Sequence, residues 1–368
     1  IFVFLFMLKE RYFSPNKLYD KIVNLNKSID VSVIGKSVQK KPIYLLKLGS
    51  GSKKILFWSQ MHGNETTTTK AIFDYINWLL LKTNIHYLKN FSFYIIPQLN
   101  PDGAKLYTRN NYNDFDLNRD AIKLSQPESL CLINLYKKIN PEFCFNLHGQ
   151  KTTYSVGNSK KSAVISFLAP SISHNNQINE ARRKSILLII SIFNELKIDI
   201  KGHVSRYKDD FNKNCMGDYF TINNTPTILI EAGHFPNDYK RNVTKKYILK
   251  ALIYSTLFLN DGNFLKNSVN DYFKIPESKK KFVDIVITGV TINNNEKIHK
   301  NQMLALNYKE SLNKGKILFT PYFVSFGKKL NYYGHKYLNF NKEKNNHFNF
   351  KLGFPLKKEE ITDLLSIK

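Results

Sequence analysis

Apolar residues in this chain gather into short blocks that alternate with longer stretches of helical period. Residues 43–48, 55–58, 91–96, 143–147 and 227–230 are compact apolar runs of strand length. Runs of this kind, without polar alternation, mark strands covered on both faces. Gly49-Ser50-Gly51-Ser52 punctuates the first two as a turn. Between the later runs lie helical patterns at 66–81, 127–138, 176–197 and 242–259. Strands alternating with helices from residue 30 to 262 predict an α/β fold, a doubly wound mixed sheet with helices on both faces. Residues 100–126, rich in Asn, Asp and Tyr, lack a strong period. A loop of that length in a compact domain is usually a functional one.

Beyond Asp261-Gly262 the pattern changes. Residues 282–292 are β-rich, 293–295 read as a turn, and 316–326 and 347–352 read as further strands. The expected organisation is an N-terminal helical extension (1–29), a main domain (30–262) and a small C-terminal β-rich accessory domain (275–368). The histidines of that last domain, His299, His335 and His347, have no ligand-like spacing and are expected at the surface.

Composition alters this picture in two places. The 42% hydrophobic content suits a folded protein, but 55 basic against 29 acidic residues leave a net charge of +26. Such an excess can signal a nucleic-acid or membrane surface. Here only seven of the basic residues are arginine, and the lysines are scattered mostly in ones and twos, with no run longer than the three at 279–281. The excess therefore reads as compositional, and neither a nucleic acid nor a membrane is expected as partner. Three cysteines, Cys131, Cys144 and Cys215, show no paired spacing and argue against a disulfide framework. The apolar run at 1–8 has no basic segment before it and is too short for a bilayer span, so a cytoplasmic rather than exported protein is expected. The chain does not begin with methionine, which leaves open a fragment or a start at Met7.

Candidate chemistry sits at the ends of the apolar runs, where open α/β sheets place their ligands. His62-Gly63-Asn64-Glu65 follows the run ending at Trp58, and an imidazole and a carboxylate three apart can converge on one metal ion. The run Phe143-Cys144-Phe145-Asn146-Leu147 ends on His148. His62, Glu65 and His148 thus supply three protein ligands for zinc and leave the fourth position open, as a catalytic site needs. Thr227-Ile228-Leu229-Ile230 ends on Glu231, which can act as general base without ligating metal. Between Glu65 and His148 stand Asn100-Pro101-Asp102-Gly103, Arg109 and Asp116-Leu117-Asn118-Arg119-Asp120.

In their order and placement these motifs resemble the zinc metallocarboxypeptidases of the carboxypeptidase A type, over about residues 30–262. The stretch from Glu65 to His148 is shorter than in digestive members, which implies trimmed loops. The resemblance implies hydrolysis of the C-terminal peptide bond of a peptide with a free C-terminus, through a water activated by one Zn2+ per chain. His62, Glu65 and His148 would hold the metal, and Glu231 would move the proton. Arg109 would stabilise the oxyanion, while Asn118 and Arg119 would bind the terminal carboxylate. A tyrosine on the loop before the glutamate would be sought at Tyr207 or Tyr219, neither in a motif that matches. Asp116 would orient Asn118 or a ligating histidine. A salt bridge to Asp116 or Asp120 is the plainer use of Arg119. His234 reads as a loop histidine rather than a fourth ligand. An N-acyl amino acid deacylase of the aspartoacylase and succinylglutamate desuccinylase type shares the fold and the His-Gly-x-Glu pattern. A non-catalytic binding module on the same scaffold is the reading from another class.

The compositional origin of the charge has a direct test. DNA binding is expected to be weak, non-specific and steeply salt-dependent. Tight, sequence-selective binding at physiological salt overturns it.

Overall fold

The computed structural model describes residues 8–175, 177–293, 298–340 and 347–349, with side chains for all of these but 293 and 347–349. All but the last residue of the apolar run at 1–8, most of the turn expected at 293–295 and the end of the strand expected at 347–352 lie outside the described residues. The chain divides into two compact units. One joins Ile1–Gln150 with Ala163–Ser278, and the other joins Lys151–Ser162 with Lys279–Lys368.

The strands of the first unit are β1 (Asp30–Lys36), β2 (Pro42–Leu48), β3 (Lys53–Ser59), β4 (Phe91–Ile96), β5 (Phe143–Gly149), then β7 (Ile165–Leu168), β8 (Val204–Arg206) and β9 (Thr227–Ala232), with β6 (Tyr154–Val156) in the second unit. The eight form one mixed sheet in the order β1-β2-β4-β3-β5-β9-β7-β8. β4, β3, β5 and β9 are mutually parallel and central, while β2 and β7 join them antiparallel. β4 inserts between β2 and β3, so the glycine-serine turn at 49–52 does not close a hairpin.

Helices α1 (Pro15–Val23), α2 (Thr66–Leu79), α3 (Tyr87–Asn90), α4 (Pro101–Leu106), α5 (Pro127–Ile139), α6 (Glu180–Asp199), α7 (Met216–Ile222), α8 (Asn242–Asp261) and α9 (Val269–Lys274) complete the described elements. Alternation along β3 explains why both faces are covered. Ile55 and Phe57 enter a core shared with α2, α6 and α8, whereas Leu56 and Trp58 enter a second core shared with α5 and α7. The fold is therefore α/β with helices on both faces of a mixed sheet. No helix among the described residues is long and apolar enough to cross a membrane.

Four of these strands, β1, β6, β7 and β8, have no counterpart among the expected runs, nor do three more at Ser278–Lys280, Ile298–Asn313 and Tyr333–Asn339. β1 is a mostly exposed edge strand, and β6, β7 and β8 are only three or four residues long. The segment at 100–126 is not a plain loop. It holds α4 and a 3-10 turn at Leu117–Arg119.

The second unit is β-rich. β11 (Phe282–Asn293) pairs antiparallel with β12 (Ile298–Asn313) and parallel with β14 (Tyr333–Asn339) and β15 (His347–Asn349), and β13 (Lys316–Gly327) extends the sheet beyond β12. β6 pairs with β10 (Ser278–Lys280). His299 and His335 are half-buried rather than fully at the surface. One packs its ring on Phe326, and the other stacks on Phe282 with Nε2 at 2.8 Å from the Thr152 carbonyl oxygen.

What positions the first unit's polar centre is a backbone contact. A Cβ on Gly63 would stand 1.9 Å from the carbonyl carbon of Gly103. The loop after β3 and the first turn of α4 therefore touch as bare backbone, which only glycine allows. Asn100 adds two tethers, accepting from the Gly103 N–H at 2.8 Å and donating to the Met61 carbonyl at 3.1 Å. Gly63→Ala is expected to cost about 1–3 kcal/mol, as overpacking does, and to lower metal occupancy with it. Unchanged thermal stability and metal content would refute the contact's importance.

Candidate metal centre

His62 follows β3, Glu65 directly precedes the first turn of α2, and His148 and Glu231 are register partners at the ends of the adjacent parallel strands β5 and β9. Parallel strands bring their carboxyl ends to one edge, so residues 86 and 83 apart in sequence meet there. One ligand atom each from His62, Glu65 and His148 lies within 4.8 Å of the others.

The hydrogen bonds sort out the nitrogen atoms. Glu65 Oε1 is 2.8 Å from His62 Nδ1, and Oε2 is 3.0 Å from His148 Nδ1 while accepting the Gly149 N–H at 2.9 Å. The two Nδ1 atoms are 3.1 Å apart. Such a pair repels unless both share a cation, a proton or a metal ion. Asp116 Oδ1 lies 3.0 Å from His62 Nε2, so the ring donates there and turns Nδ1 toward the cluster. A carboxylate behind a ligating histidine is the usual way a tautomer is set. Donor chemistry, convergence and orientation all fit a divalent ion of the zinc type.

Asp116 also fixes Arg109. Its Oδ2 accepts from Arg109 Nε at 3.2 Å and Nη2 at 3.0 Å, and its Oδ1 accepts the Asn118 N–H at 2.9 Å. Arg109 Nη1 is 3.7 Å from Glu65 Oε1, and the side chain is half-exposed, so its face toward solvent remains open. Asp116 therefore pairs with Arg109, and Asp120 accepts from Ser125 and the Gln126 N–H. Neither takes the ion pair weighed for Arg119, whose Nη1 donates to the Asn118 carbonyl at 2.7 Å and approaches Cys215 Sγ at 3.1 Å. Asn118 Oδ1 accepts the Met216 N–H at 3.0 Å, which ties this turn to α7.

Burial and charge pull the ionisable groups apart. Burial disfavours the charged His62 ring, but the Glu65 charge and hydrogen bonds to Asp116 and Glu65 outweigh it and hold its pKa at about 9. Burial dominates at His148, whose pKa falls below the usual imidazole value. Burial also opposes ionisation of Glu65 and Asp116, yet the histidines beside them hold both carboxyls well below the usual range. Glu231 moves the other way. Burial first, then the negative charge of Glu65, push it up to about 8, against the pull of His62 and Arg109. Its Oε2 is buried with no hydrogen-bond partner among the described residues.

Of the remaining candidates, His234 is not part of the His62–Glu65–His148 cluster and packs near the Tyr239 ring. The Tyr207 N–H donates to the Phe167 carbonyl just after β8, and Tyr219 lies within α7 against Phe220. Asp102 serves neither as ligand nor as acid. It accepts from the Gln39 N–H at 2.9 Å and from Lys41 Nζ, which clamps α4 to the turn between β1 and β2.

Known proteins share parts of this arrangement. The family model described as zinc carboxypeptidase matches residues 16–121. Carboxypeptidase M of Mus musculus is 28% identical over 144 residues, covering 32% of this chain and 32% of its own length. Carboxypeptidase SOL1 of Arabidopsis thaliana is 27% identical over 143 residues, covering 32% of this chain and 28% of its own length. The matched stretch thus spans about a third of the length of these curated relatives. Among solved structures, a metallo-carboxypeptidase from Burkholderia cenocepacia superposes with a TM-score of 0.52 at 16% identity, over 67% of this chain and 70% of its own. Bovine thrombin-activatable fibrinolysis inhibitor superposes at 0.53 and 17%, over 69% and 99%. At that identity these likenesses establish the fold. The family match ends before His148 and Glu231, so the completion of the cluster rests on this chain's own geometry.

Metal analysis tests the cluster directly. His62→Ala and His148→Ala are expected to lose bound zinc, and Asp116→Ala to weaken it about 10–100-fold. Glu231→Gln is expected to keep it. Full occupancy in both histidine variants would refute the ligand set.

Proposed function

We infer that this chain, which belongs to the zinc carboxypeptidase family, is a metallocarboxypeptidase that hydrolyses the C-terminal peptide bond of peptides. The observation that carries the reading is the convergence of His62, Glu65 and His148 on one point, with Glu231 at the end of the next strand. A zinc ion held by those three side chains would supply Lewis acidity, polarising the scissile carbonyl and making water acidic enough to attack near neutral pH. Glu231 takes the proton of the attacking water and returns it to the leaving amine. That role needs the carboxylate form, which the positive charge of a bound divalent ion beside Glu231 would favour against the burial and the Glu65 charge that raise its pKa.

Arg109 faces the cluster with its orientation set by Asp116, and donates to the oxygen on which negative charge develops. Arg119 and Asn118 bind the free terminal carboxylate. The planar guanidinium suits a bidentate contact, and the acids on either side of Arg119 are occupied elsewhere. With Asn118 Oδ1 holding the Met216 N–H, the amide nitrogen of Asn118 is the end directed to the substrate.

A substrate panel with the zinc-loaded chain tests this reading against the deacylase one. Peptides with a free C-terminus are expected to be cleaved, their C-terminal amides poorly, and N-acyl amino acids least. Arg119→Ala is expected to lose at least about tenfold on free peptides, the size of one charge-assisted hydrogen bond, and little on amidated ones. Equal cleavage of free and amidated peptides by the native protein removes the exopeptidase reading. Turnover confined to N-acyl amino acids replaces it with the deacylase.

A further inference from the structure

Gln60 follows β3 directly, two residues before His62, and its backbone is out of character with its side chain. Its φ is 51°, in the left-handed region. Glycine enters that region freely, whereas a residue with a Cβ is strained there. The side chain is nonetheless completely buried, at 0% exposure. A glycine would satisfy the backbone, so the glutamine is accounted for only by what its amide holds.

That amide closes the ligand-bearing loop on itself. Nε2 donates to the Gly63 carbonyl at 2.6 Å. Oε1 accepts from Gln98 Nε2 at 3.0 Å and lies 2.9 Å from the Thr69 hydroxyl of α2, which is also 2.9 Å from the Pro97 carbonyl. A carbonyl oxygen only accepts, so the contact with Gly63 fixes which end of the amide is nitrogen. One buried side chain thus joins the start of the loop, its midpoint and the helix beyond it.

The midpoint is where an anchor is needed. Gly63 must be glycine to lie against Gly103, and a glycine leaves its own peptide loosely defined. The peptide between Gly63 and Asn64 stands between His62 and Glu65, so its orientation sets how far apart those two side chains start. Its N–H, on Asn64, donates to the Thr108 carbonyl at 3.1 Å. Its carbonyl is the group that Gln60 holds.

We propose that Gln60 is a positioning residue, which fixes the bite of His62 and Glu65 on the metal ion through the Gly63 carbonyl. The inference rests on the metal centre of the carboxypeptidase reading above. Gln60 touches neither metal nor substrate in this role. It acts on the spacing of the two ligands that come from one loop.

The full chain is compared as native protein, Gln60→Met and Gln60→Gly. Methionine keeps the volume and the strained φ but donates nothing, and glycine removes the strain together with the amide. Leu196→Ala, a core variant of α6 outside this network, controls for lost stability. Zinc affinity is read by competition with a chelator, and ligand geometry by the absorption spectrum of the Co2+-loaded protein. Both Gln60 variants are expected to hold zinc about tenfold or more weakly, in the range seen for groups that orient metal ligands. Their Co2+ bands are expected to shift at saturating metal, while Leu196→Ala matches the native protein in both. Gln60→Gly serves where the methionine variant fails to fold. Native affinity and spectrum in Gln60→Gly overturn the proposal, and so do equal changes in Leu196→Ala. Tight zinc binding without peptide cleavage by the native chain removes the carboxypeptidase reading and leaves the positioning role to stand on affinity and spectrum. Absence of zinc binding by the native chain overturns both.

Discussion

One carboxylate, Glu65, ties together the two strand ends on which the polar centre stands. It contacts His62 from its own loop, and it contacts His148 and the Gly149 N–H from β5. Reaching all three at once requires the loop after β3 to turn sharply back, and that turn is possible because Gly63 lies bare against Gly103. The Asn100-Pro101-Asp102-Gly103 stretch is thus scaffold. Its asparagine caps α4 and grips Met61, its proline opens the helix, its aspartate holds the β1–β2 turn, and its glycine admits Gly63.

The centre is held from behind as well. Thr66 and Thr67, the first residues of α2, bind the Arg11 carbonyl and the Arg11 guanidinium. Buried Lys70 donates to the Glu10 carbonyl, and Lys245 bridges Asp74 and the Leu8 carbonyl. Burial lowers the Lys70 ammonium to about 7, so this anchoring comes with an electrostatic cost. The chain from Leu8 to Arg11 thereby braces the helix that follows Glu65.

Electrostatics then separates like groups. Glu65 and Asp116 sit beside histidines and remain ionised, whereas Glu231, on the neighbouring strand, is buried beside another carboxylate and tends to the neutral form. No residue type is unusual here. The difference lies in which partner each carboxyl meets.

The central strands were legible in the chain because strands buried on both faces are continuous apolar runs, and the long helices were legible from their period. β1, β7 and β8 escaped, the first because an exposed edge needs no apolar stripe and the others because three or four residues carry too little pattern. His62, Glu65, His148 and Glu231 could be picked out as strand-end polar residues without any knowledge of their contacts. Asp116 could be picked out as an orienting group, but its second partner, Arg109, could not. The sequence by itself determined the α/β class, the residues able to hold a metal and their order along the chain, since these depend on local pattern and side-chain chemistry. The insertion of β4 between β2 and β3, the bare contact of two glycines 40 positions apart, and the choice of Asp116 by Arg109 rather than Arg119 were decided by the tertiary structure. Each depends on which backbones come within a few ångströms in space, and spacing along the chain does not encode that.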